Sequence, residues 1–300
     1  MSGLSRCKRI ISLLAITLLT ALLLPACSAV KVAYNQGPEL SYWYLDAYVD
    51  FNDAQSLQVK ADLNRLQAWH RQTQLPCYID SLQKLQQQMP LDFSTAQACN
   101  VYSDARLKLL ALSVEVQPAV AALAATLGSQ QIALMERKFA KGNAEYREEF
   151  MEGTPKAMRD RRYKKAVGRA EMLYGSLDDR QLAVVEQVIA RSRFDAARSY
   201  AERVRRQQDA LQTLRNLAVP GNSPAASAEK ARIAVRSLLD RSINSPDAAY
   251  RAYQETVTQD GCKGFSDLHN STSAAQRTKA VKVLGGYERE LTELGVATGR

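Results

Sequence analysis

Apolar residues along this chain recur at spacings of three and four, the period of a helix that buries one face. After Ser94 they fall at Ala98, Val101, Ala105, Leu109, Leu112, Val116 and Leu123, with Pro118 placed to kink the run. After Leu127 the stripe is Ile132, Met135, Phe139, Tyr146 and Phe150. The longest runs from Asp178 through Leu182, Val185, Ile189, Ala196, Tyr200, Val204, Leu211, Leu214 and Ala218, which predicts one helix about 60 Å long. It stops at Pro220-Gly221-Asn222-Ser223-Pro224, a cluster of breakers that marks a loop or a subdomain boundary near 219–225. Beyond it the pattern predicts a helix over 225–239, another after Ser245-Pro246, a loop at Asp260-Gly261-Cys262-Lys263-Gly264, and a last helix carrying Ala280, Leu284, Tyr287, Leu291 and Leu294. No stretch alternates apolar and polar residues as a strand requires. The expected fold is all-α, an elongated bundle of about eight to nine helices.

The helix starts carry their own signature. An apolar or small residue, a capping type, two variable residues and then Gln occur at Phe51-Asn52 with Gln55, Phe93-Ser94 with Gln97, Leu127-Gly128 with Gln131, Leu177-Asp178 with Gln181, and Thr272-Ser273 with Gln276. This is a capping box. The cap side chain accepts from an orphan N–H of the first turn, and Gln at the third helical position reaches back to the cap N–H. Gly128 caps with backbone alone. Such boxes are permissive in a Gln-rich chain, and the apolar period that follows several of them is what raises the signal.

The N-terminus has a different organisation. A short basic region (Arg6, Lys8, Arg9) precedes an apolar run from Ile10 to Leu24 and the small-residue context Pro25-Ala26. A run of about 15 residues suits a cleaved leader and falls short of the roughly 20 needed to span a bilayer. Leu24-Pro25-Ala26-Cys27 resembles the lipobox of bacterial lipoprotein precursors, with Pro25 where Ala, Ser or Thr is more usual. That resemblance implies a diacylglycerol on the Cys27 thiol, cleavage ahead of it and acylation of the new amino group. Ser28, which is not Asp, resembles the sorting pattern of outer-membrane cargo. At about 0.8 kcal/mol per buried methylene, several acyl chains would hold the protein on a membrane essentially permanently. The expected divisions are a leader at 1–26, a lipidated tether at 27–37 and a single helical domain at 38–300.

Removing the leader leaves 37 basic against 31 acidic side chains, a modest net charge of +6. That balance, the implied compartment and the lack of a zinc-finger, RRM or basic-zipper pattern argue against nucleic acid. Cys77, Cys99 and Cys262 then remain for an oxidising periplasm, and three thiols allow one disulfide with three choices of pair. On an antiparallel pair turning near Pro90, Cys77 and Cys99 would be offset by about 7 Å along the axis, at the limit for bridging even before lateral separation. Cys99 with Cys262 is therefore the preferred pair, against the alternative of three small buried thiols.

Candidate chemistry is sparse. His70 and His269 are the only histidines, and neither stands in a metal-binding spacing or beside a Cys pair. His70, after Trp69 on a helical face, reads as a packed or surface residue rather than a base. His269-Asn270 precedes a helix start where either side chain could order the loop. A thiolate at Cys262 beside a histidine would be a nucleophile, but a bridged cysteine cannot serve. No catalytic, cofactor or metal site is expected, and no enzymatic activity. Tyr42-Trp43-Tyr44, with Tyr48 and Phe51, form an aromatic patch suited either to a membrane interface or partner, or to packing a first helix on the bundle, and the second is preferred. Lys156, Arg159, Arg161, Arg162, Lys164, Lys165 and Arg169 crowd one helix, and Arg191, Arg193, Arg198, Arg203, Arg205 and Arg206 dot the next. An anionic partner is one reading, and a solvated face offset by Asp195 and Glu202 is the preferred one.

Trp69-His70-Arg71 followed by Leu75-Pro76, and Cys262 followed by His269-Asn270-Ser271-Thr272 and Gln276-Arg277, together with the lipobox, resemble an uncharacterised family of bacterial outer-membrane lipoproteins. The resemblance transfers no activity. The repeated Gln boxes are more weakly similar to the LTxxQ motif of small periplasmic chaperones of the Spy and CpxP kind, where the motif opens helices of a thin curved dimer that holds unfolded clients. The expectation is a lipid-anchored, periplasm-facing helical binding module at the outer membrane, holding unfolded envelope clients, with an assembly accessory of one envelope complex as the alternative.

Overall fold

A computed structural model describes residues 26–218 and 224–296. The leader at 1–25 and the breaker cluster at 219–223 lie outside the described residues, so the signal peptide and the boundary near 219–225 are not addressed by it. Among the described residues the fold is all-α, with eleven helices rather than eight or nine. They are α1 (Ala26–Asn35), α2 (Gly37–Val49), α3 (Asp53–Trp69, a π turn at His70–Gln74, then Leu75–Gln88), α4 (Thr95–Ala124), α5 (Ser129–Phe150), α6 (Pro155–Tyr174), α7 (Asp179–Arg191), α8 (Ala196–Leu217), α9 (Pro224–Ile243), α10 (Ala248–Asn270) and α11 (Ala274–Val296).

Helix contacts trace two circuits that share α3 and α4. In the first, α3 meets α2, α2 meets α5, α5 meets α8, α8 meets α9, and α9 returns to α4. It encloses a core of Val49, Ala121, Ala124, Leu127, Ile132, Leu211, Leu214 and Val235. In the second, the far half of α3 meets α11, then α6, α7 and α10 follow before the path returns to α4. Its core holds Met89, Phe93, Ala170, Tyr174, Ala280 and Leu284. Each Val, Leu, Ile, Phe or Met side chain fully buried in either core contributes about 1.5–3 kcal/mol.

All five Gln boxes cap helices, and four of them interlock in pairs. Gln55 Nε2 lies 3.3 Å from Gln131 Oε1, and Gln131 Nε2 lies 2.7 Å from Gln55 Oε1. Gln181 and Gln276 exchange the same two bonds at 2.7 and 2.9 Å. One clasp ties the start of α3 to that of α5 in the first circuit, and the other ties α7 to α11 in the second. Asp50, in the left-handed region at φ 58°, turns its carbonyl to accept from Gln131 Nε2 at 3.0 Å. Asp tolerates that conformation better than most residues.

Three sequence expectations change. The long helix over 178–218 is broken at Ser192–Asp195: the Arg193 N–H donates to Asp260, the Asp195 N–H donates to Tyr253 Oη, and Asp195 then caps α8. The expected loop at 260–264 is helical and lies inside α10. Its glycine serves close approach instead of a turn, since a Cβ at Gly264 would come within 2.6 Å of Val188 Cγ1 on α7. The expected tether is helical and docked: α1 packs on α11, Lys31 pairs with Glu293, and Gln67 Nε2 donates to the Tyr34 carbonyl at 2.5 Å.

Candidate functional site

A groove of about 770 Å³ opens where α2, the first half of α3 and the second half of α4 meet. Helix α2 runs antiparallel to α3, with Gly37 against Gln67 and Tyr42 Oη bonded to Ser56 Oγ at 2.9 Å. The α3 wall presents Val59, Leu63 and Leu66, and the α4 wall presents Val116, Val120 and Leu123. Both rows follow the spacing that aligns side chains on one helix face. Leu40, Tyr44 and Leu45 of α2 close the third side, and the ion pair of Asp62 with Arg65 adds polarity at the lining. Mostly apolar walls with a few polar groups are the ordinary make-up of a ligand or peptide site.

Helix α4 leaves much of its apolar surface uncovered, beyond the groove as well as within it. Its 30 residues are long and apolar enough to cross a membrane by length and composition, and little of its most apolar window is buried. The stripe read as core is only partly so: Ala98 is buried, while Val101 is 39% and Leu109 66% exposed. Leu107 and Val114 are exposed as well. The aromatic patch divides in the same way. Tyr48 and Phe51 pack on the first core, whereas Trp43 and Tyr44 are 61% and 64% exposed, Tyr44 at the groove.

The other candidate residues sit apart from the groove. Cys99 on α4 and Cys262 on α10 form a disulfide, and Cys77 is free and exposed. The backbone of Cys27 lies in α1, while its side chain is outside the described set. His70 occupies the π turn, half-buried, with Nδ1 3.0 Å from Tyr34 Oη and Nε2 3.3 Å from Tyr78 Oη. Burial pushes its imidazole below the ordinary histidine pKa. His269 is fully buried, with Nδ1 2.8 Å from Tyr174 Oη and Nε2 2.8 Å from the Leu91 carbonyl. A carbonyl can only accept, so Nε2 carries the proton and the Tyr174 hydroxyl donates to Nδ1. Phe93 and Phe265 pack against the ring, and Cys262 is committed to its bridge. Among the described residues no group of three or more His, Cys, Asp or Glu is placed to hold a metal ion.

Many of the basic residues are engaged within the chain. Lys156 pairs with Asp160, Lys165 with Glu149, Arg191 with Asp267 and Arg193 with Asp260. Arg162 stacks on Phe194 at 4.9 Å and Arg198 on Tyr253 at 5.3 Å. Arg205 and Arg206 both bond the buried Glu202 carboxylate, which also accepts from Ser245 Oγ. Burial works to raise the Glu202 pKa, the two guanidinium groups outweigh it, and the carboxyl sits below its ordinary value.

Fold and groove together define an all-α arrangement of two fused helix circuits with an open apolar cleft. The chain belongs to a family of unknown function, DUF6279, whose model matches residues 47–225. No curated protein and no solved structure matches the chain. The match takes in Trp69-His70-Arg71 and Leu75-Pro76, whereas Cys262 and the stretch 269–277 lie beyond it. The groove itself escaped sequence reading, because periodicity marks an apolar face without telling whether another helix covers it.

Proposed function

We propose that this protein is a lipid-anchored binding module, held at the outer membrane through Cys27 and facing the periplasm, whose groove takes apolar segments of envelope polypeptides. The observation that carries the reading is the 770 Å³ aliphatic cleft between α2, α3 and α4. Contiguous apolar surface of this kind costs solubility and commonly marks a contact site. Holding is chaperone-like in this scheme: clients with exposed apolar stretches bind, none is altered covalently, and no catalytic residue is assigned.

The test is suppression of aggregation of an unrelated denatured protein at near-stoichiometric ratio. Val120, 39% exposed, lines the groove, so Val120→Asp places a charge there, and a far-UV circular dichroism spectrum matching the parent's checks that the helices are kept. The variant is expected to need at least about ten-fold more protein for equal protection, as burial of a charge against an apolar client would cost well over 1.4 kcal/mol. Equal protection by variant and parent would remove the groove from the mechanism.

Trp43 and Tyr44, exposed on α2, favour a second reading, an accessory that docks on one envelope complex. Such a protein would leave aggregation unchanged and co-purify with a single defined partner after crosslinking in intact cells. Either reading needs the anchor. Cys27→Ser is expected to move the protein from the membrane to the soluble fraction, and unchanged membrane association would retire the lipid assignment.

A further inference from the structure

The two glutamine clasps are built on one plan. In each, a glutamine Nε2 donates to the Oε1 of its partner and to the main-chain carbonyl two residues ahead of the partner's cap. Gln55 reaches the Thr126 carbonyl at 3.1 Å and Gln131 reaches that of Asp50 at 3.0 Å. Gln181 reaches the Ser271 carbonyl at 3.2 Å and Gln276 reaches that of Ser176 at 3.0 Å. Every half therefore offers the same donor and the same two acceptors. A half-clasp is its own complement, as surfaces related by a two-fold axis must be.

The chain carries a fifth half of this kind at the start of α4. Gln97 Oε1 accepts from the Ser94 N–H at 2.9 Å and from Ser94 Oγ at 2.8 Å, as in a closed box. Its Nε2 meets no acceptor among the described residues. The Asp92 carbonyl, which holds the position that accepts in the four paired halves, receives no hydrogen bond among them. Gln55 and Gln181 are 4% and 2% exposed in their clasps, whereas Gln97 is exposed. On the same side of α4 Val101, one turn on, is 39% exposed, and Leu91 in the turn ahead of the cap is 65% exposed.

We infer that this fifth half pairs with the same half of a second copy of the chain. Gln97 of each protomer donates to Gln97 Oε1 and to the Asp92 carbonyl of the other, with Leu91 and Val101 packing around the axis. The partner is fixed by self-complementarity: the motif is satisfied twice within the chain by a copy of itself, and the remaining half, which meets none among the described residues, takes one from another molecule.

The chain from Ser28 onward keeps every described helix but the first two residues of α1. In sedimentation equilibrium it is expected to show a dimer whose share grows with concentration up to about 100 µM. Gln97→Glu keeps the acceptor oxygen that caps α4 but replaces the amide donor with a charge that faces its own copy. It should leave the Tm unchanged and weaken the dimer at least about 100-fold. If the Tm falls as well, Leu91→Asp decides, since Leu91 lies outside the box: loss of dimer supports the pairing and its persistence overturns it. A parent chain that stays monomeric throughout, or a dimer that survives Gln97→Glu, also overturns it.

Discussion

Loss of the Cys99–Cys262 bridge is expected to lower the stability of the folded protein by about 5 kcal/mol, which is the chain-entropy value for cross-linking so long a loop. The bridge joins α4 to α10 across a sequence separation of 163 residues. A cross-link of that span removes many conformations from the unfolded chain and few from the folded one. Typical domains are stable by only about 5–15 kcal/mol, so the bridge would carry a large share. Urea unfolding followed by far-UV circular dichroism of a Cys99→Ala, Cys262→Ala double variant should show a midpoint lower by about 1.7 M, taking m near 3 kcal/mol/M. Cys77→Ser, at an exposed free thiol, should leave the midpoint where it was. An unmoved midpoint in the double variant would mean that the helix contacts already hold α4 and α10 together without it.

His269→Leu is expected to cost about 3 kcal/mol. The ring is fully buried where α10 meets α6 and the turn before α4, and it satisfies both the Tyr174 hydroxyl and the Leu91 carbonyl. A leucine of similar bulk leaves the buried Tyr174 hydroxyl without a partner, at about 1–3 kcal/mol, and takes the donor from the part-buried Leu91 carbonyl as well. The same burial sets a pH dependence. Burial pushes the imidazole below its ordinary value, the nearby Arg277 adds to that, and the Leu91 bond and Asp92 oppose it. The unfolded chain therefore binds a proton near pH 6.5 that the folded chain refuses until lower pH. Stability from this group is complete above about pH 6.5 and is lost as pH falls from there toward the folded pKa. His70 acts in the same direction, also through burial. Thermal unfolding should show Tm falling from pH 7 to pH 5 with a shallower slope in His269→Leu, and parallel slopes would place the titration elsewhere.

Helix starts were the most legible feature of the sequence, because a cap is decided by four consecutive residues. Asn52, Ser94, Gly128, Asp178 and Ser273 each open a helix with their glutamine bonded back to the cap N–H. What the boxes do beyond capping was not legible. The clasps join glutamines 76 and 95 positions apart, and nothing local to either partner announces the other. The break at 192–195 was missed for the same reason, since the groups that hold it, Asp260 and Tyr253, come from α10. Gly261 and Gly264 misled in the opposite sense, because their composition reads as a turn while tertiary packing uses Gly264 to let α7 approach α10.

The π turn at His70–Gln74 has a geometric consequence for both circuits. Widening one turn by a residue rotates everything after it by about 100° relative to a continuous α-helix. Before the turn, α3 aims Val59, Leu63 and Leu66 at the cleft, and after it Leu82 and Leu85 point into the second core beside α11. The bulge thus keeps the rod in phase: Leu82 follows Leu63, and Leu85 follows Leu66, by 19 positions, of which the wide turn absorbs one, leaving five whole α-helical turns, so one face of a single rod walls both chambers in succession.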